Sequence, residues 1–312
     1  MRTSFFVAAL VGALLCARTA PLSAQAAMPL AVTEIASGVF VHSGLQEDVG
    51  PPNGGDIANI GFVVGERCVA VIDSGSTRRI GDALRARIRQ ATDKPVCYVI
   101  NTHVHPDHIF GNAAFQADAP QFVGHANLPS AMAAKGPTYL NALGRILGPA
   151  AEGSTLVPPT TTVAAERRID LGGRVLSLKA WPTAHTDNDL TVFDEASQTL
   201  WTGDLVFVER IPSVDGSLRG WVRVLPEIAR TAAIQVVPGH GPVQRDWPRA
   251  IEPLARYLER VLTETRQAIR DQRTIQSAVD TVAREEAARW PLADEFHRRN
   301  VTAAFAELEW ED

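Results

Sequence analysis

The stretch Asn101-Thr102-His103-Val104-His105-Pro106-Asp107-His108 carries more chemical information than any other in this chain. It follows the apolar run Val96 to Ile100, so it reads as the end of a β-strand. Side chains two apart on extended backbone point the same way, which lets His103 and His105 converge on one metal ion. Pro106 favours a turn into a helix beginning near Asp107, and that change of direction turns Asp107 and His108 toward a second ion. A lone buried histidine would read as a hydrogen-bonded core residue. Three histidines and an aspartate within six positions do not.

Further donors should come from other strand ends, because a metal site needs convergence in space and not adjacency in sequence. His185 lies in Pro182-Thr183-Ala184-His185-Thr186-Asp187, directly after an expected strand Val175 to Ala180. Asp204 ends the expected strand Leu200-Trp201-Thr202-Gly203, where Gly203 allows close backbone approach and a carboxylate can bridge two cations. His240 sits in Pro238-Gly239-His240-Gly241-Pro242 after an expected strand Ile234 to Val237. Of the eight histidines, five thus follow expected strands, which is the placement a site at one sheet edge requires. His42 and His125 read as core hydrogen-bonding residues and His297 as a surface residue.

Elsewhere Val- and Ile-rich segments alternate with helical patterns, which points to mixed α and β layers. Val32 to Ile35 pairs with Val39 to His42 as a hairpin, and Ile57 to Val64 with Cys68 to Ile72 as a second. Ser76 is placed to cap a helix that turns Leu84 and Ile88 inward, and Gln121 to Gly124 and Leu190 to Phe193 are further strands. Gly136 to Pro159, dense in Gly, Pro and Ala, reads either as a lid or as a long surface connection. The loop Gly44 to Asp56 and the stretch Arg210 to Trp221 suit a pocket wall or an ordinary solvated loop, with Trp221 able to pack under the next helix. From Pro248 onward Ile251, Leu254, Leu258, Val261, Leu262 and Ile269 recur at helical spacing. A second helix is expected around Ile275 to Val282, and a last one after Asn300.

The 312 residues are 46% hydrophobic and 21% charged, with mean hydropathy near zero, which excludes disordered and fibrous classes. A pI near 5.9 leaves no basic footprint for nucleic acid. Arg2, the apolar run Phe5 to Ala17 and the small residues around Ala24-Gln25-Ala26 read as a secretory signal peptide spanning 1–26. The run is short of the ~20 apolar residues needed to span a bilayer. Cleavage leaves 286 residues and moves the formal charge from −5 to −7, since Arg2 and Arg18 depart and no acid does. The mature chain is expected to be soluble and periplasmic or secreted, with no membrane association. It divides into a catalytic domain over 27–247 and a helical extension over 248–312 packed on it.

The ordered set Asp73 in Val71-Ile72-Asp73-Ser74-Gly75, His103-x-His105-x-Asp107-His108, His185, Asp204 and His240 resembles the metallo-β-lactamase superfamily over roughly Val32 to Pro242. The resemblance implies an α/β fold, a four-layer αβ/βα sandwich with a di-metal site, usually zinc, at the sheet edge. It assigns His103, His105 and His185 to one ion, Asp107, His108 and His240 to the other, and Asp204 to a bridge. Asp73 then reads as a partner fixing a ligand histidine, or equally as a strand-ending turn residue. Asp204 stands where many true β-lactamases carry Cys or Ser, which resembles the general hydrolase branch. His105 stands where flavodiiron proteins carry Glu, which weakens a di-iron reading. The strings Asn53 to Phe62, Ala184 to Leu190 and Asp215 to Trp221 resemble exported zinc hydrolases associated with quinoprotein relay systems, which implies a functional link to a quinoprotein dehydrogenase.

The implied chemistry is hydroxide formed between two ions ~3.5–4 Å apart, attacking a carbonyl or phosphoryl centre of a small-molecule substrate while Asp107 orients the nucleophile. Competing readings are a periplasmic β-lactamase, a mononuclear iron sulfur oxygenase similar to persulfide dioxygenases, and a non-catalytic quinone carrier. Cys68 and Cys97 open two strands that this fold sets side by side. They form either a disulfide or two reduced core thiols.

Overall fold

The computed structural model describes residues 30–311, so the expected signal segment lies outside the described residues. Among the described residues, twelve strands form two sheets. The first runs in sequence order through β1 (Thr33–Ala36), β2 (Val39–His42), β3 (Ile60–Val64), β4 (Val69–Ile72), β5 (Val96–Ile100), β6 (Gln121–His125) and β7 (Thr161–Val163). The second contains β8 (Glu166–Asp170), β9 (Val175–Ala180), β10 (Leu190–Asp194), β11 (Thr199–Phe207) and β12 (Gln235–His240), with β12 and β8 at its edges. Pairing is parallel from β4 to β7 and between β11 and β12, and antiparallel elsewhere.

The two-residue side-chain period decides the layers. In β4, Ala70 and Ile72 face the second sheet, where they meet Leu178, Leu190, Val192, Trp201 and Val237. Val69 and Val71 face the other way and pack with Phe62, Val99 and helix α1 (Arg78–Ala91) through Ile80, Leu84 and Ile88. In β11 and β12, Trp201 and Val237 point into the sheet–sheet core, while Leu200 and Val236 point out. That outer face is covered by α4 (Leu218–Ala229), α5 (Glu252–Arg270) and α8 (Ala293–Leu308), whose Trp221, Leu225, Leu254, Leu258, Val301 and Phe305 share one cluster with it. The order is helix, sheet, sheet, helix, the αβ/βα sandwich. Residues 248–308 thus have no core of their own, and α6 (Ile275–Thr281) and α7 (Arg284–Ala287) complete the same cluster.

Several elements depart from the sequence reading. Thr77, and not Ser76, caps α1, accepting from the Ile80 N–H, while the Ser76 hydroxyl donates to the Gly55 carbonyl. The first half of the Gly136–Pro159 stretch is no loop but the end of α3 (Leu128–Leu147), which passes through Gly136 and Pro137. Leu128, Met132, Leu143 and Leu147 of α3 bury against Val104, Ile109 and Phe110, and this packing outweighs the local breakers. The last helix begins at Ala293 instead of after Asn300. His297, expected on the surface, is buried: its ring bonds the Tyr257 hydroxyl at 3.0 Å and the Val282 carbonyl at 2.9 Å. Cys68 and Cys97 form a disulfide across the parallel pair β4 and β5, with Cα atoms 5.8 Å apart.

Candidate metal centre

Parallel pairing of Ile72 with Ile100 sets the ends of β4 and β5 side by side. Asp73 leaves the first and His103 the second, after which the short helix α2 (Pro106–Ile109) begins with Pro106 at its first turn and carries Asp107 and His108. From the second sheet, Asp204 lies within β11 at an irregular step in its pairing with β12, and not at the strand's end as expected. Gly203 has a φ of +50° and presses on Thr102 too closely for any Cβ. Gly239 is likewise bare because a Cβ would strike the Asp204 carboxylate. His240 is the last residue of β12, and His185 follows β9.

All seven expected donors come together. His103, His105, His185 and Asp204 form one group whose donor atoms lie within 4.8 Å of one another, and Asp107, His108 and His240 form a second. Asp204 belongs to both neighbourhoods: its Oδ2 lies 3.4 Å from His185 Nε2 and 3.4 Å from His240 Nε2, and its Oδ1 3.2 Å from His108 Nε2. Asp107 Oδ2 lies 3.3 Å from His240 Nε2 and 3.6 Å from His108 Nε2.

Hydrogen bonds behind the cluster fix which nitrogen of each ring faces inward. His185 Nδ1 donates to the Ser213 carbonyl at 2.8 Å and His240 Nδ1 to the Ile57 carbonyl at 2.7 Å. His108 Nδ1 donates to Asp73 Oδ2 at 2.8 Å. The Thr102 hydroxyl donates to the same Asp73 oxygen, so it accepts from His103 Nδ1 at 3.0 Å. Each of these four rings therefore turns its Nε2 toward the cluster. His105 is reversed: its Nε2 donates to Asp215 Oδ2 at 3.1 Å, which leaves Nδ1 bare and 3.0 Å from His185 Nε2.

Two lone pairs facing each other at that distance repel unless a proton or a metal cation lies between them. His103 Nε2, His108 Nε2 and Asp204 Oδ1 are also buried without a hydrogen-bond partner among the described residues. Unpartnered buried polar atoms are costly, and here they are gathered at one point. The residues fit divalent cations.

The electrostatics agree. Burial, reinforced by the charges of neighbouring rings, drives His103 well below the usual imidazole range and His185 down to about 3. Burial opposes ionisation of Asp107 and Asp204, but the adjacent His108 and His240 outweigh it and hold both carboxyls low. The site thus presents ionised carboxylates and two rings that resist protonation. Against the cost of burial, Asp204 and Asp73 raise His108 well above the usual range and Asp204 raises His240, so those two rings take a cation in exchange for a proton.

Sequence reasoning missed the residues that aim the donors. Ser213 and Asp215 hold His185 and His105, and Lys135 of α3 braces Asp215 at 2.5 Å. Asp189 accepts from the Thr186 N–H and hydroxyl, fixing the loop after His185, and burial pushes its carboxyl up to about 8. Asp215 lay within an informative string, but nothing local marked it as a histidine partner. A cavity of about 490 Å³ opens over the cluster, lined by Asp107, His105, Tyr139, Leu143 and Phe207, by Asp48 and Val49 of the 44–56 loop, and by Arg210, Ile211 and the run Ser213 to Asp215. Both uncertain loops therefore contribute to the cavity wall, whereas Trp221 packs beneath it against the His185 ring.

The fold and donor set are those of a metal-binding α/β sandwich. The chain belongs to the metallo-β-lactamase superfamily, whose family model matches residues 53–271 and so extends past Pro242 into α5. No curated protein matches it by sequence. Among solved structures it is similar to a metallo-β-lactamase from Pontibacter korlensis at 21% identity and a TM-score of 0.60, covering 74% of this chain and 99% of that one. It is also similar to FIM-1 from Pseudomonas aeruginosa in a mono-zinc form, at 20% identity and 0.59, covering 74% and 96%. A metallo-β-lactamase from Erythrobacter litoralis matches at 19% identity and 0.57, covering 74% and 96%. These likenesses show the fold.

Proposed function

We propose that the chain is an exported hydrolase that holds two divalent cations, zinc being the expected metal, and cleaves an ester, thioester, lactam or phosphoryl bond of a small molecule. The observation that carries this reading is the pair of bare nitrogens, His105 Nδ1 and His185 Nε2, 3.0 Å apart beside the Asp204 carboxylate. His103, His105 and His185 would hold one cation, and Asp107, His108 and His240 the other. Asp204, reaching both groups, would be shared. Divalent cations held there supply Lewis acidity and lower the pKa of water toward neutrality.

The protein's own contribution is positioning. Asp107 lines the cavity as well as the donor cluster, so its carboxylate is placed to orient a water and accept its proton. Leu143, Phe207, Ile211 and Val214 give the cavity apolar walls that exclude bulk water from the reacting bond. The Cys68–Cys97 disulfide supports an oxidising compartment, in keeping with the signal-like N-terminal segment. The resemblance of the 53–62, 184–190 and 215–221 strings supports service beside a quinoprotein oxidation system.

Two donor groups favour this reading over a sulfur oxygenase built on one iron. The test is turnover of a panel of neutral and anionic esters, thioesters, lactams and phosphoesters, with metal content measured on the same sample. Hydrolysis that disappears in His103→Ala is expected. Oxygen consumption with a persulfide, and no hydrolysis, would overturn it.

A further inference from the structure

The two donor groups differ in what stands behind them. In the group of Asp107, His108 and His240, the rings lean on Asp73 and on the Ile57 carbonyl. In the group of His103, His105 and His185, two rings lean on the Ser213 carbonyl and the Asp215 carboxylate. Both belong to the short segment between β11 and α4, and residues 211–217 of it form neither helix nor strand. An irregular segment keeps one path only where bonds from outside specify it. The Asp215 and Ser217 N–H groups bond the His185 and Ala184 carbonyls, which move with the ligand loop and so do not anchor it. From α3, Lys135 holds the Asp215 carboxylate but not the backbone that carries it.

The anchors come from the C-terminal region. The Ile211 N–H donates to the Pro291 carbonyl at 3.2 Å. Asn300, 1% exposed on α8, donates to the Pro212 carbonyl at 2.7 Å and accepts from the Val214 N–H at 3.0 Å, gripping the residues on either side of Ser213. Glu307 lies two turns further along the same face of the helix. One of its carboxylate oxygens accepts from the Ser217 hydroxyl at 2.6 Å. The other accepts from the Leu218 N–H at 2.7 Å, at the first turn of α4 where a negative charge is favoured. Ser213 and Asp215 thus sit on a segment tied at two points to one helix.

We propose that Asn300 and Glu307 are positioning residues for one cation of the pair. Through them the docking of α8 sets how tightly His103, His105 and His185 hold their cation, and leaves the position of Asp107, His108 and His240 nearly untouched. Neither residue is itself a donor. They fix the Ser213 carbonyl and the Asp215 carboxylate, and these decide where His185 Nε2 and His105 Nδ1 point. Asp73 follows β4 and Ile57 precedes β3, both on the first sheet, whereas α8 covers the second. The C-terminal helix is then a control on one half of the metal centre and not only a packing layer. The inference rests on the proposed two-cation reading, but cation binding is read without turnover.

The test is cadmium NMR on the cadmium-loaded chain, in which each occupied position gives its own resonance, with affinity at each read by chelator competition. His105→Ala and His240→Ala assign the resonances, since each removes a donor from one group. Glu307→Gln keeps the length of the side chain but offers one acceptor oxygen in place of two. It is expected to weaken the cation at the position lost in His105→Ala on the order of tenfold, and to leave the other within about twofold of wild type. Asn300→Leu should show the same asymmetry. Glu311→Gln removes a carboxylate that pairs with Arg219 and Arg266 and bonds none of residues 212–218, so it should match wild type at both positions. A merely structural role would weaken both positions alike. Equal weakening, or wild-type affinity at both positions in either variant, would overturn the proposal. If wild type gives a single resonance, the two-cation reading fails. The proposal then holds if that resonance belongs to the position of His105 and weakens in Glu307→Gln, and falls if it does not. A chain that binds no cadmium contradicts both.

Discussion

At the scale of single residues, the donors were legible because their chemistry leaves few alternatives, while the residues behind them were not. His103, His105, Asp107 and His108 announce themselves by density, and His185, Asp204 and His240 by following strands. Asp73 was half legible: a turn residue by sequence, it accepts from His108 Nδ1 and from the Thr102 N–H and hydroxyl. Asp73→Asn, which keeps the shape and suits the left-handed φ of 52°, should weaken metal affinity by about 10–100-fold in a chelator competition. Unchanged affinity would reduce Asp73 to a turn residue. Backbone acceptors such as the Ser213 and Ile57 carbonyls were illegible because every residue carries one. His42 makes a pH-dependent contribution. Burial lowers its pKa, but the hydrogen bond and charge of Asp56, 2.6 Å away, outweigh this and raise it. A histidine raised on folding stabilises fully below its unfolded value of about 6.5, and that stability is lost as pH rises through the folded pKa. The difference in unfolding free energy between wild type and His42→Gln should thus be larger near pH ~5.5 than near pH ~9. A gap that widens with pH would contradict the assignment.

At the scale of elements, the strands followed from their alternation, and β4 splits its residues between two cores as period two demands. Helix α3 was obscured by Gly136 and Pro137, whose local cost is overcome by tertiary burial. The start of α8 was hidden because His297 and Asn300 look like surface residues. They are buried polar groups satisfied by distant partners, a pattern that no local reading reveals. Asn300 donates to the Pro212 carbonyl at 2.7 Å and to the Tyr257 hydroxyl at 3.0 Å, and accepts from the Val214 N–H at 3.0 Å. It thereby clamps the segment whose Ser213 and Asp215 hold His185 and His105. Asn300→Leu should cost about 1–3 kcal/mol in urea unfolding, because it strands those partners, and should lower metal affinity as well. Wild-type values for both would show that the loop holds itself.

At the scale of the molecule, the octapeptide Asn101–His108 decides the architecture because it marks the sheet edge where both halves of the sandwich meet. Two sheets deliver donors from separate strands to that edge, and the C-terminal helices close the second sheet's outer face. The Cys68–Cys97 disulfide ties β4 to β5 at the ends of these strands opposite to Asp73 and His103. Thiol titration of denatured, unreduced protein should find neither thiol free, and reduction should lower stability by about 3 kcal/mol. The central claim is that seven side chains form one site for two cations with Asp204 shared. Elemental analysis of purified chain after zinc titration and desalting tests it most directly. About two zinc ions per chain in wild type, falling to one or fewer in Asp204→Ala, is the predicted result. A single tightly held iron with no zinc, or wild-type stoichiometry in Asp204→Ala, would contradict it.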